Sequence, residues 1–357
     1  MHNLACTNVQ HFAAHSASLM SQRAVRPILR DHGNNPIDQI DLLVEIARAY
    51  YERNHNQDKI AQSLGISRSQ VSRYLAKARK LNLVQVRIVA PGERAASLER
   101  ALKRRFKSLK DAVVAAAFNL QPEPLRKTIG RACADYLSQK IRPGTRVCLG
   151  SGRTLFEAIN AIHPRRVPDV SIVQAMGSVG HEAMNIDFGE LTRAMGQAFG
   201  ARVYYLIAPA ILGSGTAAAL AAANPSIRES LQLARSADMY VVGIGSIESD
   251  LLFAQVGLIK NQEMDRLVRA GAVGDVCARF FDRHGQEVPS PFADRVVGIQ
   301  LDDLRNCGLT IGVAGGSDKI APLLGALHGG LLKVLITDEH TARSLLELDQ
   351  TPQLQSP

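Results

Sequence analysis

The chain has 357 residues, 46% hydrophobic and 21% charged; this composition fits two or three soluble domains, and no uninterrupted apolar run approaches the ~18 residues of a membrane span. The first 22 residues lack a basic region, apolar core and cleavage site, and Cys6, Cys133, Cys148, Cys277 and Cys307 are scattered without a C-x-x-C pair, so a reducing cytoplasm is expected and secretion, a disulfide framework and a cysteine-rich zinc site are not. Residues 1–110 hold 19 Lys and Arg against 8 Asp and Glu, net +11, leaving 23 against 25 beyond them, the asymmetry of a polyanion-binding module joined to a near-neutral domain.

Residues 1–36 show little periodicity and end in His32-Gly33-Asn34-Asn35-Pro36, which predicts a mobile arm. From Asp38, a candidate N-cap, Ile40, Leu43, Val44, Ala47 and Tyr51 recur at the spacing of one buried helix face. A second helix follows over Gln57 to Leu64, Gly65-Ile66 turns the chain, and Ser67 opens a third helix with Gln70 three residues on, the pattern of a capping box. On that third helix Val71, Tyr74, Leu75, Ala78 and Leu81 share one face, and Arg68, Ser69, Ser72, Arg73, Lys77 and Arg79 lie on the other or at its margins. A DNA-recognition helix needs this division, because one side anchors to the bundle while polar residues reach base edges and basic ones neutralise phosphates. Gln57, Ser67 and Gln70 complete the candidate DNA contacts. Val84-Gln85-Val86-Arg87-Ile88 alternates like a strand and would be the wing, closed by Pro91-Gly92. Residues 37–92 are therefore expected to be a winged helix-turn-helix that binds double-stranded DNA; a helical module that binds protein or merely dimerises is the competing reading. Over 93–110, a linker helix places Leu98, Leu102, Phe106 and Leu109 on one stripe, which is either a dimer seam or a face packed on the next domain.

Beyond Asp111, strand candidates Ala112–Phe118, Arg146–Leu149, Val170–Ala175, Val203–Ile207, Met239–Ile244, Arg295–Leu301, Leu309–Ala314 and Lys333–Thr337 alternate with helical segments. This predicts a mainly parallel α/β sheet with its ligand site at the carboxyl ends of the strands. Four loops expected at that edge are rich in glycine and hydroxyls: Gly150-Ser151-Gly152-Arg153-Thr154, Gly177-Ser178-Val179-Gly180, Gly243-Ile244-Gly245-Ser246 and Gly315-Gly316-Ser317-Asp318-Lys319. The first opens a helix, so its N–H groups form a candidate anion cradle with Ser151 and Thr154 as hydroxyl donors, and Lys319 puts a cation at a second helix start. Glycine as a plain turn residue is the competing reading for each loop taken singly. Gly150-x-Gly152-x-x-Leu155 lacks the third glycine of a dinucleotide fingerprint, and no metal-spaced histidine cluster, nucleophile elbow or P-loop occurs. Asp302-Asp303 and Asp338-Glu339 fall where helices begin and read as caps.

With a helix-turn-helix followed by these loops, the sequence resembles the SorC/DeoR-type sugar-binding transcriptional regulators, whose effector domain is related to phosphosugar isomerases. Besides Gln57–Leu75, the resembling pieces are Gly150–Leu155, Ala208-Pro209, Ala237-Asp238 leading to Gly243-Ile244-Gly245, Gly271–Val276 with Phe280-Phe281-Asp282, Ala314-Gly315-Gly316 with Lys319, and Ile336–Ala342. The resemblance implies a Rossmann-like effector-binding and oligomerisation domain over 111–348 with a tail at 349–357. It further implies a tetrameric regulator of operator DNA tuned by a phosphorylated sugar or sugar-like metabolite, with neither cofactor nor metal nor catalytic residues. Gly150 through Thr154 and Gly315 through Lys319 would contact the effector, and Gly274, Asp275 and Phe280 would line the same cleft. Ser151 departs from the aromatic residue frequent in the family at that position. The alternative class is a phosphosugar isomerase or deaminase carrying a DNA-binding appendix, with Asp275 as its candidate base; no local acid/base constellation surrounds Asp275.

Overall fold

The computed structural model describes residues 36–53, 55–81, 83–84, 95–117, 119–179, 188–247, 258–290 and 292–349. The chain divides into two units between Ile88 and Val89. The expected arm, the wing beyond Val84, Pro91-Gly92, Phe118, Gly180 and the tail beyond Asp349 lie outside the described residues.

In the first unit, α1 (Pro36–Tyr51), α2 (Gln57–Leu64) and α3 (Arg68–Lys80) enclose a core of Ile46, Ala49, Ile60, Ala61, Val71 and Leu75. Helix α1 starts at Pro36, which places the expected cap Asp38 inside it. Its buried stripe is Leu43, Ile46, Ala47 and Tyr50, while Ile40 and Tyr51 are 45% and 39% exposed. The stripe follows the i, i+3, i+4, i+7 rule from Leu43, and the expected one included two residues that fall at its edges. Gly65 ends α2 in the left-handed region (φ 64°) with its N–H on the Ala61 carbonyl, and Ser67 opens α3 through a complete capping box with Gln70. Leu81, expected on the buried face of α3, is its C-cap and is 49% exposed.

The second unit begins with α4 (Ala96–Arg105), followed by β1 (Asp111–Ala115), α5 (Pro122–Lys140), β2 (Arg146–Leu149), α6 (Arg153–Asn160), β3 (Ser171–Gln174), α7 (Phe188–Phe199), β4 (Arg202–Tyr204), α8 (Gly215–Ala223), α9 (Pro225–Arg235), β5 (Met239–Gly243) and β6 (Gly245–Ser246). It continues with α10 (Asn261–Arg269), β7 (Ala272–Val276), β8 (Arg279–Asp282), α11 (Leu301–Asn306), β9 (Thr310–Val313), α12 (Ile320–His328), β10 (Val334–Asp338) and α13 (Glu339–Leu348). Among the described residues, seven strands pair in parallel in the order β1-β10-β9-β5-β2-β3-β4. Strand residues alternate between two cores: Ala112, Val114, Cys148, Tyr240 and Leu335 on one face, Val113, Val147, Val241, Ile311 and Ile336 on the other. Both faces are covered, which explains the unbroken apolar runs of these strands.

Three expectations change. Leu102, Phe106 and Leu109 are buried in the protomer's own core with Leu98 packed against it, so this stripe is not a dimer seam. Arg295–Leu301 is not a strand: a 3-10 turn ends at Arg295, isolated bridges follow at Val296 and Gly298, and α11 begins at Leu301. Its apolar pattern comes from a segment laid against Ile211 and Met176. A small antiparallel sheet, β6-β7-β8, was not foreseen.

Candidate functional site

Helix α6 packs on one face of the sheet through Leu155, Ala158 and Ile159, and α12 on the other through Leu323, Ala326 and Leu327. They follow β2 and β9, which flank β5. The chain thus leaves for opposite faces on either side of β5, the arrangement that opens a crevice at the carboxyl edge of a parallel sheet. A cleft of about 380 Å³ lies there, within the size range of small-molecule sites.

The cleft gathers Ser151, Gly152, Arg153, Thr154, Gly243, Gly245, Asp275, Gly315, Gly316 and Lys319 from the expected set. Gly150 sits beneath its wall, its N–H on the Val241 carbonyl at 2.8 Å. Gly177 and Ser178 are not among the lining residues; their backbone is drawn away by hydrogen bonds to Val297 and Ala208 and a bridge to Pro209. Phe280 does not line it either, being buried edge-on against Phe292 at 5.5 Å. Sequence reasoning missed Leu125, Arg126, Ser246 and Cys277. The signal for the first two was available, because α5 follows the parallel strand β1 and so starts at the same edge.

The two helix-entry loops share one backbone solution. Gly152 (φ 141°, ψ 157°) precedes α6, and Gly316 (φ 106°, ψ 158°) precedes a 3-10 turn that runs into α12; this region is essentially restricted to glycine. The Gly316 N–H is not turned to a ligand, since it donates to Thr341 Oγ1 at 2.8 Å and Asp338 Oδ2 at 3.2 Å. Asp338 is fully buried, caps α13 through the Thr341 N–H at 3.0 Å, and accepts from the Thr341 hydroxyl at 2.6 Å. The expected cap therefore also anchors the glycine loop. Asp302-Asp303 does cap: Asp303 accepts from the Gln300 N–H at 2.7 Å. Lys319 immediately precedes α12, partly buried, with Nζ 3.2 Å from Asp318.

The far wall is the β7–β8 hairpin, whose two turn residues, Cys277 and Ala278, both have positive φ (50° and 63°). Asp275, 6% exposed, steadies this turn by accepting the Ala278 N–H at 3.1 Å. Burial pushes its carboxyl up to about 6, against the opposing pull of that N–H and of Lys319. Burial, and then Asp275, pushes the Cys277 thiol up to about 12. Beyond the turn, the buried Arg279 guanidinium donates to the carbonyls of Ala293 (2.7 Å), Ile299 (3.2 Å) and Val296 (3.3 Å). Among the described residues no group of three His, Cys, Asp or Glu could hold a metal ion, and no helix is long and apolar enough to cross a membrane.

In the first unit, α3 exposes Arg68, Ser69, Ser72, Arg73 and Arg79, while Gln57 on α2 is half-buried. Arg68 lies 3.7 Å from Asp58. Ser67 and Gln70 are engaged with each other: Gln70 Oε1 accepts the Ser67 N–H at 2.8 Å, and Ser67 Oγ accepts the Gln70 N–H at 3.2 Å.

Residues 90–347 match the family model described as "Putative sugar-binding domain". The chain is 32% identical over 307 residues to the deoxyribonucleoside regulator of Bacillus subtilis (strain 168), covering 85% of this chain and 97% of that protein. It is 32% identical over 312 residues to the transcriptional regulator LsrR of Enterobacter sp. (strain 638), covering 86% and 93%. The crystal structure of the full-length sorbitol operon regulator SorC from Klebsiella pneumoniae matches with a TM-score of 0.66 at 29% identity, over 87% of this chain and 99% of that one.

Proposed function

The chain belongs to the SorC/DeoR-type sugar-binding transcriptional regulators, and from that premise we propose that its effector carries a phosphate or comparable anion seated in the cleft between α6 and α12. The protein is a DNA-binding regulator modulated by a sugar-like effector and not an enzyme, in keeping with the regulators it matches from end to end. The observation that carries the anion reading is the pair of glycine entries, Gly152 and Gly316, which start helices on opposite faces of one crevice beside Lys319. Ser151, Gly152, Arg153 and Thr154 form the cradle, and Lys319 supplies a charge-assisted contact. Asp275 supports a polar contact to the sugar portion, and Gly243, Gly245 and Gly315 allow close approach to the cleft wall.

Isothermal titration of one sugar, free and phosphorylated, against wild type and Lys319→Ala tests this. The phosphorylated form is expected to bind far better, and Lys319→Ala to weaken it about tenfold or more, the scale of one charge-assisted hydrogen bond. Equal affinities in all four combinations would leave the loops as ordinary turns.

Operator binding is assigned to the exposed face of α3, with Arg68, Ser69, Ser72, Arg73 and Arg79 as the contacts and Gln57 at the margin. Ser67 and Gln70 serve by fixing the helix start. A homo-oligomer, tetrameric by family resemblance, fits this assignment because linked modules engage paired half-sites. A reducing cytoplasm accords with Cys133, Cys148, Cys277 and Cys307, all buried thiols.

A further inference from the structure

Helices α5 and α6 run side by side from the carboxyl edge of the sheet, packed on the same face through Leu125, Ile129, Leu155 and Ala158. They meet at Gly130, where a Cβ would stand 2.8 Å from the Ala158 nitrogen and from Glu157 Cβ, so the backbones touch with no side chain between them. One helical turn is about 3.6 residues. A turn closer to the cleft on each helix, this contact continues as Arg126 on α5, four residues before Gly130, and Arg153 on α6, four before Glu157. Both arginines line the cleft. Burial first, and then the Arg153 guanidinium, pulls Arg126 below the ordinary arginine range. Glu157, Glu123 and Asp318 act in the opposite sense. Two of these three already pair with lysines: Glu123 with Lys127 at 2.6 Å and Asp318 with Lys319 at 3.2 Å.

We propose that Arg126 and Arg153 form a two-guanidinium clamp that makes the cleft select dianionic phosphomonoesters over monoanions. This rests on the phosphate cradle proposed above and adds to it a residue and a charge requirement. Two like charges held together repel, and a ligand bearing two negative charges relieves that repulsion where a single charge leaves half of it standing. Each guanidinium also presents a planar fork of donors to phosphate oxygens, so the pair reads the charge and the tetrahedral shape together. Helix packing at Gly130, and not a flexible loop, sets the distance between the forks.

The test uses the full-length chain and three probes at pH 8.0 and matched ionic strength: inorganic phosphate and sulfate, both dianions, and dimethyl phosphate, a monoanion. Wild type is expected to bind the dianions about tenfold or more tightly than dimethyl phosphate, and Arg126→Gln to lose most of that ratio while its affinity for dimethyl phosphate changes little. Arg126→Lys keeps the charge without the fork and is expected to restore part of the ratio. Arg126→Met is the second neutral variant, and ligand-free melting of each variant checks its fold. An unchanged ratio in Arg126→Gln and Arg126→Met, with Lys319→Ala still weakening phosphate, overturns the clamp and leaves the cradle standing. Wild type that binds no phosphate overturns both.

Discussion

Asp275 is a buried carboxylate held against its preference for water, and the sign of its effect on stability follows. Its folded pKa of about 6 lies above the reference 3.8, so the folded chain holds the proton more tightly than the unfolded one between those values. Stability from this group is fully present below 3.8 and declines as pH rises through about 6. Asp275→Asn, which can still accept the Ala278 N–H, should therefore stabilise the protein at pH 8 by about 1–3 kcal/mol and change little at pH 4. Urea denaturation at both pH values measures it; an equal effect at both would show an ordinary carboxyl. Gly316 gives a second residue-scale outcome. At φ 106°, Gly316→Ala should cost about 1–3 kcal/mol of stability in strain, and the same denaturation curves report it.

At the scale of elements, α3 divides its work between a buried face and an exposed one. Arg73→Ala should weaken operator binding by about 1–3 kcal/mol if it reads a base edge, or lower the slope of log affinity against log salt by about 1 if it meets a phosphate. Titrations at several salt concentrations separate the two, and no change in either would remove Arg73 from the interface. The parallel strands were legible because burial on both faces leaves runs such as Arg146–Leu149 and Met239–Gly243 that few other structures need. The β7–β8 hairpin was not, because its left-handed turn is made by Cys277-Ala278 instead of the asparagine and glycine that usually signal one. The loop at Gly177-Ser178 has the composition of the cleft loops, yet pairing with Ala208 and Pro209 diverts it, a tertiary choice invisible in local sequence. Arg126 escaped notice because Pro122-Glu123-Pro124 reads as an ordinary exposed helix start.

For the whole molecule, the apolar stripe of α4 belongs to the interior of the protomer. Leu102 is fully buried, so Leu102→Ala should lower stability by about 2–5 kcal/mol while sedimentation at micromolar concentration, below the melting range, shows the wild-type assembly. A shift to a smaller species would restore the stripe as a seam. The way Asp338 is shared has a practical consequence for anyone cutting or fusing this chain. The carboxylate that begins the last helix also holds Gly316, 22 residues earlier, through the bond at 3.2 Å. A truncation before β10 would therefore remove no dispensable end: it would withdraw the floor under the Gly315-Gly316 loop and take the ligand cleft with it. A fusion placed after Leu348 keeps that floor intact, which makes it the safer point of attachment for a reporter meant to sense the effector.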